Sequence, residues 1–219
     1  MASNLKSTEA GTLELYRVAL ENVQEQPEIA TVMADLGYDS ALITEGKQLL
    51  EQTRNIFDFN KTEDDETSVA YADFSNRKKD LETIYSLHRK KAKVVFRKDP
   101  VTLKQLALDG SLQKSYVKWI ETVKKFYSVA TTNTEIQGKL ARLKITPEDI
   151  TATNTKVTEL EKARAEYLRE KGESQDATKA KDAAFAKIDD WMSEFYAVAK
   201  IGLEEKPQLL EALGKIVKS

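Results

Sequence analysis

The chain has 219 residues, of which 41% are hydrophobic and 32% charged, a composition that buries a sizeable core and belongs to neither a disordered nor a membrane-spanning protein. Its 8 glycines and 4 prolines are too few for the turns of a β-sandwich or barrel; its lack of cysteine excludes disulfides, thiolate metal sites and a cysteine nucleophile; and its single histidine excludes every paired-histidine metal motif. The formal net charge of −2 gives no overall field that points to nucleic acid.

The N-terminus, Met1 to Ala10, lacks a cationic start followed by an apolar stretch. It therefore reads as lacking a signal peptide, and the chain as cytoplasmic. No apolar run approaches the roughly 20 residues of a membrane span. Asn60-Lys61-Thr62 fits a glycosylation sequon, a triplet that arises by chance and has no secretory context here.

Apolar residues recur at helical spacing along almost the whole chain. Leu13, Tyr16, Leu20 and Val23 share one face; Ile29, Met33 and Leu36 share the next, which Gly37 ends as a C-terminal glycine. Asp39 reads as the N-cap of a helix striped by Leu42, Leu49, Leu50, Thr53, Ile56 and Phe57. The polar, acidic stretch from Asn60 to Glu66 reads as a turn. A long helix over 66–98 follows, striped by Ala70, Phe74, Leu81, Ile84, Tyr85, His88, Ala92 and Val95. Asp99-Pro100 restarts the chain as cap and first helical residue.

Leu112, Tyr116, Trp119, Ile120, Val123, Tyr127 and Ala130 form the next face, and Ile136, Leu140 and Leu143 another. Thr146-Pro147-Glu148-Asp149 is a helix start in which cap, proline and dipole-favoured acids follow in order. Ile150, Val157, Leu160, Ala163 and Tyr167 continue it until Gly172, which reads as a break. The last long helix, 175–204, carries Ala177, Phe185, Ile188, Trp191, Met192, Phe195, Val198 and Leu203. After Lys206-Pro207, Leu209, Leu210, Leu213 and Ile216 mark a short C-terminal helix.

The second half repeats the first without a gap: Pro207 lies 107 residues after Pro100, and the same shift sets Ile29 on Ile136, Met33 on Leu140, Ile43 on Ile150, Leu81 on Ile188 and Leu106 on Leu213. The predicted fold is accordingly all-α, a tandem duplicated helical repeat (1–109 and 110–219). It forms an antiparallel up-and-down bundle with short end-capping helices, each copy holding one long hairpin, the two hairpins either in two small tandem bundles or, as the apolar stripes favour, in a merged four-helix core.

The residue types that chemistry needs are missing or unpaired. A carboxylate-bridged di-iron bundle requires Glu-x-x-His on two helices, but Tyr85 stands three residues before His88 and no second histidine exists. Glu63-Asp64-Asp65-Glu66 has acids without the central glycine of a calcium loop. No phosphate-binding glycine loop or Gly-x-Ser-x-Gly elbow occurs. No catalytic, cofactor-binding or metal-ligating residue is assigned, and no cofactor. His88, alone on an apolar stripe, reads as a core-edge imidazole and the one candidate pH-sensitive position.

Charge is unevenly spread. Residues 77–98 hold nine Lys/Arg against two acids, whereas 58–73 hold six acids against one Lys. Arg89, Lys90, Lys93 and Arg97 are the candidate residues for docking an anion or an acidic partner. The leading expectation is a non-catalytic structural or protein-interaction bundle. The alternative is an anion- or nucleic-acid-binding module on the basic face 77–98, nucleic acid being the weaker ligand class because the whole chain is near neutral.

Overall fold

The computed structural model describes residues 8–215, and among these about 83% are helical and none is in a strand. The helices are α1 (Glu9–Glu25), α2 (Pro27–Asp35), α3 (Ser40–Val95), α4 (Pro100–Gln105), α5 (Tyr116–Thr132), α6 (Thr134–Ala141), α7 (Pro147–Gly202) and α8 (Leu209–Ala212). Ile216, expected on the C-terminal helix, lies outside the described residues, as does most of the N-terminal stretch read for a signal. Leu112 precedes α5 and is exposed, so the face expected there begins at Tyr116. No described helix is long and apolar enough to cross a membrane.

Short-range chemistry sets the helix ends. The Asp39 carboxylate accepts from the Ala41 and Leu42 amides (2.9 and 3.0 Å) to start α3. Asp99 accepts from the amide and hydroxyl of Thr102 (3.0 and 2.6 Å) to start α4. Thr146 and Asp149 open α7 reciprocally: the Thr146 hydroxyl accepts from the Asp149 amide (3.1 Å), and the Asp149 carboxylate accepts from the Thr146 amide (3.0 Å). Four helix ends close through an amide that reaches back five residues. These bonds run from Tyr38 to Met33, Leu108 to Leu103, Ile145 to Leu140 and Lys215 to Leu210. Each turn needs one left-handed residue just before the donor, and Gly37, Ala107, Lys144 and Gly214 fill that place with φ of 93°, 52°, 57° and 77°.

Two expected interruptions are absent. Asn60–Glu66 is not a turn, and Gly172 is not a break; both lie inside uninterrupted helices of 56 residues, so the long hairpins expected within each half do not form. Ending a helix takes a breaker and a replacement for its lost hydrogen bonds, and no Gly or Pro stands between Gly46 and Pro100. Asn60 instead packs inward and donates to the Thr178 hydroxyl (3.2 Å). Gly172 costs its helix about 1 kcal/mol relative to alanine, too little to break α7 between strong helix formers.

The helices gather into two compact units. One comprises α1, α2, residues 40–64 of α3, residues 173–202 of α7, and α8. Its core joins Leu20, Val23, Ile29 and Met33 to Ile188, Met192, Phe195 and Leu213. Along this core, Thr53 approaches Ala184, Phe57 meets Phe185 edge-on at 6.0 Å, and the Trp191 indole fills the space where a side chain on Gly46 would stand. Tyr38 packs edge-on against Phe195 at 5.6 Å, and the Tyr196 hydroxyl donates to the Leu213 carbonyl (3.1 Å).

The other unit comprises residues 65–95 of α3, then α4, α5, α6 and residues 147–172 of α7. Leu81, Tyr85, Phe96, Leu106, Phe126, Tyr127, Leu140 and Ile150 form its core. Each large apolar side chain so buried contributes about 1.5–3 kcal/mol. Tyr85, Phe126 and Tyr127 pack in sequence at 5.6 and 5.0 Å, and Phe74 stacks on Tyr167 at 6.0 Å.

Candidate interaction surfaces

His88 sits in the second unit, 8% exposed, with Nδ1 2.9 Å from the Tyr127 hydroxyl of α5. Burial pushes the imidazole below its ordinary value; Asp149 of α7 opposes that shift and Lys91 adds to it. The Tyr127 phenol is held well above the usual range, chiefly by burial. The pair is a neutral hydrogen bond joining α3 to α5, with the imidazole buried.

The four candidate docking residues do not share one environment. Arg89 is also 8% exposed, and its guanidinium donates to the carbonyls of Ala107 (3.1 Å) and Gly110. These carbonyls follow α4, where a cation is favoured by the helix C-terminus. Arg89 therefore ties α3 to the turn after α4 and faces away from a ligand. Lys90, Lys93 and Arg97 are exposed on one helical face with Leu87 and Val94, which are 52% and 60% exposed. The basic run thins further at its start: Arg77 pairs with Asp73 and Glu159 (2.8 and 3.1 Å), and Lys78 pairs with Glu82.

At the C-terminal end of α3, Val94, Val95, Arg97, Lys98, Arg142 and Leu143 line a groove of about 410 Å³. Its three cations have no ion pair among the described residues, and no acid lines it. Arg142 comes from the turn after α6, whose sharp close at Lys144 brings it beside the end of α3.

The other unit has its own groove at the end of α7. Ile201, Gly202, Glu204, Glu205 and Lys206 line it, with Glu28, Val32 and Leu209, over about 390 Å³. Leu36 and Val32 press so close to Gly202 that an added Cβ would lie 2.8 and 2.6 Å from them. Asp35, one residue before Leu36, is exposed at the last position of α2. Lys206 pairs with Glu28, which leaves Glu204 and Glu205 as the excess charge of the groove, with the exposed Asp35 next in sequence to Leu36.

A third, more apolar groove of about 420 Å³ runs between α1 and α3 over Leu13, Leu20 and Leu50. Most of its rim charges are already paired, Arg17 with Glu14 and Glu21 (both 2.6 Å) and Arg54 with Asp58 (2.8 Å). Within either unit taken by itself, no three His, Asp or Glu side chains gather at metal-binding distance among the described residues.

Sequence reasoning located the basic face 77–98, with Lys90, Lys93, Arg97 and Lys98 on it, but missed that Arg142 joins it, and drew nothing from the acids at the end of α7. The adjacent acids Glu204-Glu205 were the available signal. Compared with known proteins, the chain matches no family model, no curated protein and no solved structure.

Proposed function

We propose that the protein is a non-catalytic structural or protein-interaction module built from two copies of one helical unit, 1–109 and 110–219. The observation that carries this reading is the division of its polar groups. The buried imidazole and guanidinium are tied into the fold (His88 on Tyr127, Arg89 on two carbonyls), while uncompensated charge lies around exposed apolar residues at the helix ends.

The 107-residue register supports the duplication. It carries α1 onto α5, α2 onto α6 and the 56-residue α3 onto the 56-residue α7. It also carries Gly37 onto Lys144 and Ala107 onto Gly214, all with positive φ, and the buried Leu20, Tyr85, His88, Ala92 and Phe96 onto the buried Tyr127, Met192, Phe195, Ala199 and Leu203. In this reading the two halves exchange their second parts, so that each compact unit combines α1–α2 or α5–α6 of one copy with the closing half of the other copy's long helix. Residue partners rise along α3 as they fall along α7 (Thr53 with Ala184, Asn60 with Thr178), as in an antiparallel bundle.

A photo-crosslinking residue placed at Val94, at Ile201 or at the control position Asn55, in the intact chain inside cells that express it, tests the interaction reading. Protein adducts at the first two sites and none at the control are expected. No protein adduct at either end removes the reading.

A second reading, anion binding on Lys90, Lys93 and Arg97, is favoured by the acid-free groove around Arg97, Lys98 and Arg142. It predicts retention on heparin that falls steeply with salt and is lost when Lys90, Lys93 and Arg97 are reversed.

A further inference from the structure

The two end grooves are opposites in charge on the same scaffold. Arg97 and Lys98 stand just beyond the end of α3, and Glu204 and Glu205 stand just beyond the end of α7. Arg142 follows α6, and Asp35 closes α2. The 107-residue register pairs Arg97 with Glu204, Lys98 with Glu205 and Arg142 with Asp35, so each of the three cations of the basic groove answers to an acid in the other copy. The apolar residues between them keep their character: Val94 is paired with Ile201, 60% and 69% exposed, and Leu143 with Leu36, half-buried and 44% exposed.

We propose that these grooves dock on each other between molecules, the basic end of one copy against the acidic end of a second copy of the same chain. This names the partner for the interaction reading above and rests on it.

Electrostatics within a single chain points the same way. The C-terminal end of a helix favours cations and disfavours anions. Arg97, Lys98 and Arg142 obey that rule. Glu204, Glu205 and Asp35 all break it, and the one cation in the groove that Glu204 and Glu205 line, Lys206, is held by Glu28. Acids placed against a local rule, beside an exposed isoleucine and leucine, are relieved by cations supplied from outside, and the basic groove carries three without a partner.

The contact is heterologous, since the surfaces that meet differ; each pairing leaves one basic and one acidic end free unless the assembly closes. The patches are small against a standard interface of about 1,600 Å², so association is weak, reversible and dependent on concentration.

Charge exchange tests the proposal on the full-length purified protein. In sedimentation velocity, the wild type should show an average mass that rises with concentration at about 0.1 M salt and falls to that of the monomer at about 1 M, where the Debye length shrinks from about 10 Å to about 3 Å. One triple variant, Arg97→Glu with Lys98→Glu and Arg142→Glu, has two acidic ends. The other, Asp35→Lys with Glu204→Lys and Glu205→Lys, has two basic ends. Each alone should lose self-association by roughly tenfold or more, with unchanged helicity, and a mixture of the two should recover it.

A monomeric wild type at all concentrations, a variant that still self-associates, or a mixture that fails to associate overturns the proposal. A monomeric wild type that nevertheless forms crosslinks to another protein at Val94 overturns self-docking alone and leaves the interaction reading standing. A monomeric wild type retained on heparin assigns the basic groove to a polyanion instead.

Discussion

Replacing Arg89 by methionine separates its structural role from the exposed cations beside it. Methionine keeps most of the stem and removes both hydrogen bonds to the turn after α4. A bond from a charged donor contributes about 1.5–3 kcal/mol, and an acceptor left buried adds to the loss. Gly110 is exposed, so its carbonyl regains water, whereas the half-buried Ala107 carbonyl regains it less completely. The expected loss is therefore nearer one full bond than two, about 2 kcal/mol. Urea unfolding followed by far-ultraviolet circular dichroism should show the midpoint falling by about 1 M, given a slope of about 1–3 kcal/mol per M. Lysine keeps the charge but cannot reach two carbonyls as a fork, so Arg89→Lys should recover about half of the loss. Lys90→Met, one residue away and exposed, should stay within about 0.5 kcal/mol of wild type. Arg89→Met no more costly than Lys90→Met would refute the assignment.

Three further outcomes follow from particular positions. Because burial depresses the His88 pKa, the native state holds the imidazole neutral. The contribution is complete above the ordinary value of 6.5 and is lost as pH falls below it through the folded value. Melting midpoints should therefore drop from about pH 7 to about pH 5 in the wild type and drop less in His88→Phe, which at every pH carries a constant penalty of about 1 kcal/mol for the lost bond to the Tyr127 hydroxyl, which keeps Thr153 as a partner; parallel curves would remove His88 from the pH response. Gly46→Ala sets a Cβ 2.4–2.8 Å from the Trp191 ring and should destabilise by about 1–2 kcal/mol despite better helix propensity, whereas Gly172→Ala, in open space, should stabilise by about 1 kcal/mol, and denaturation midpoints that reverse this order would contradict the packing at Trp191. Lys144→Gly and Ala107→Gly relieve left-handed backbone and should each gain about 0.5–1 kcal/mol, while Gly37→Ala should lose about 1 kcal/mol; losses in the first two by the same melts would place those turns elsewhere.

What the sequence made legible was whatever depends on neighbours a few residues apart. Asp39, Asp99 and Thr146 cap helices because the amides they reach lie two or three residues on, and Gly37 ends α2 because its left-handed turn closes locally. The acidic run around Glu63 misled because acids mark a helix start only when a breaker precedes them; inside α3 they are ordinary helical residues. Arg89 misled because its acceptors are 18 and 21 residues away, in a turn whose position no periodicity fixes. One signal was available: Arg89 is four residues after Tyr85 on the buried stripe, and its register partner is Tyr196, a core-edge aromatic. The end grooves stayed hidden for a similar reason. Their charges are readable singly, but Arg142 joins Arg97 only through the turn after α6, and Leu36 reaches Gly202 at the end of α7 only through the packing of α2.

The central claim, two copies of one unit that exchange their second halves, is tested most directly by distances between spin labels in solution. The chain has no cysteine, so labels can be introduced in pairs at exposed positions without background. Glu21 with Glu51 and Ser128 with Thr158 are register equivalents within each copy, and Glu21 with Asp190 and Ser128 with Thr83 are equivalents that join one copy to the exchanged half of the other. Electron–electron dipolar spectroscopy should give one common distance for the first two pairs and another common distance for the second two. Unequal distances in the second comparison would contradict the exchange, and unequal distances in both would contradict the duplication itself.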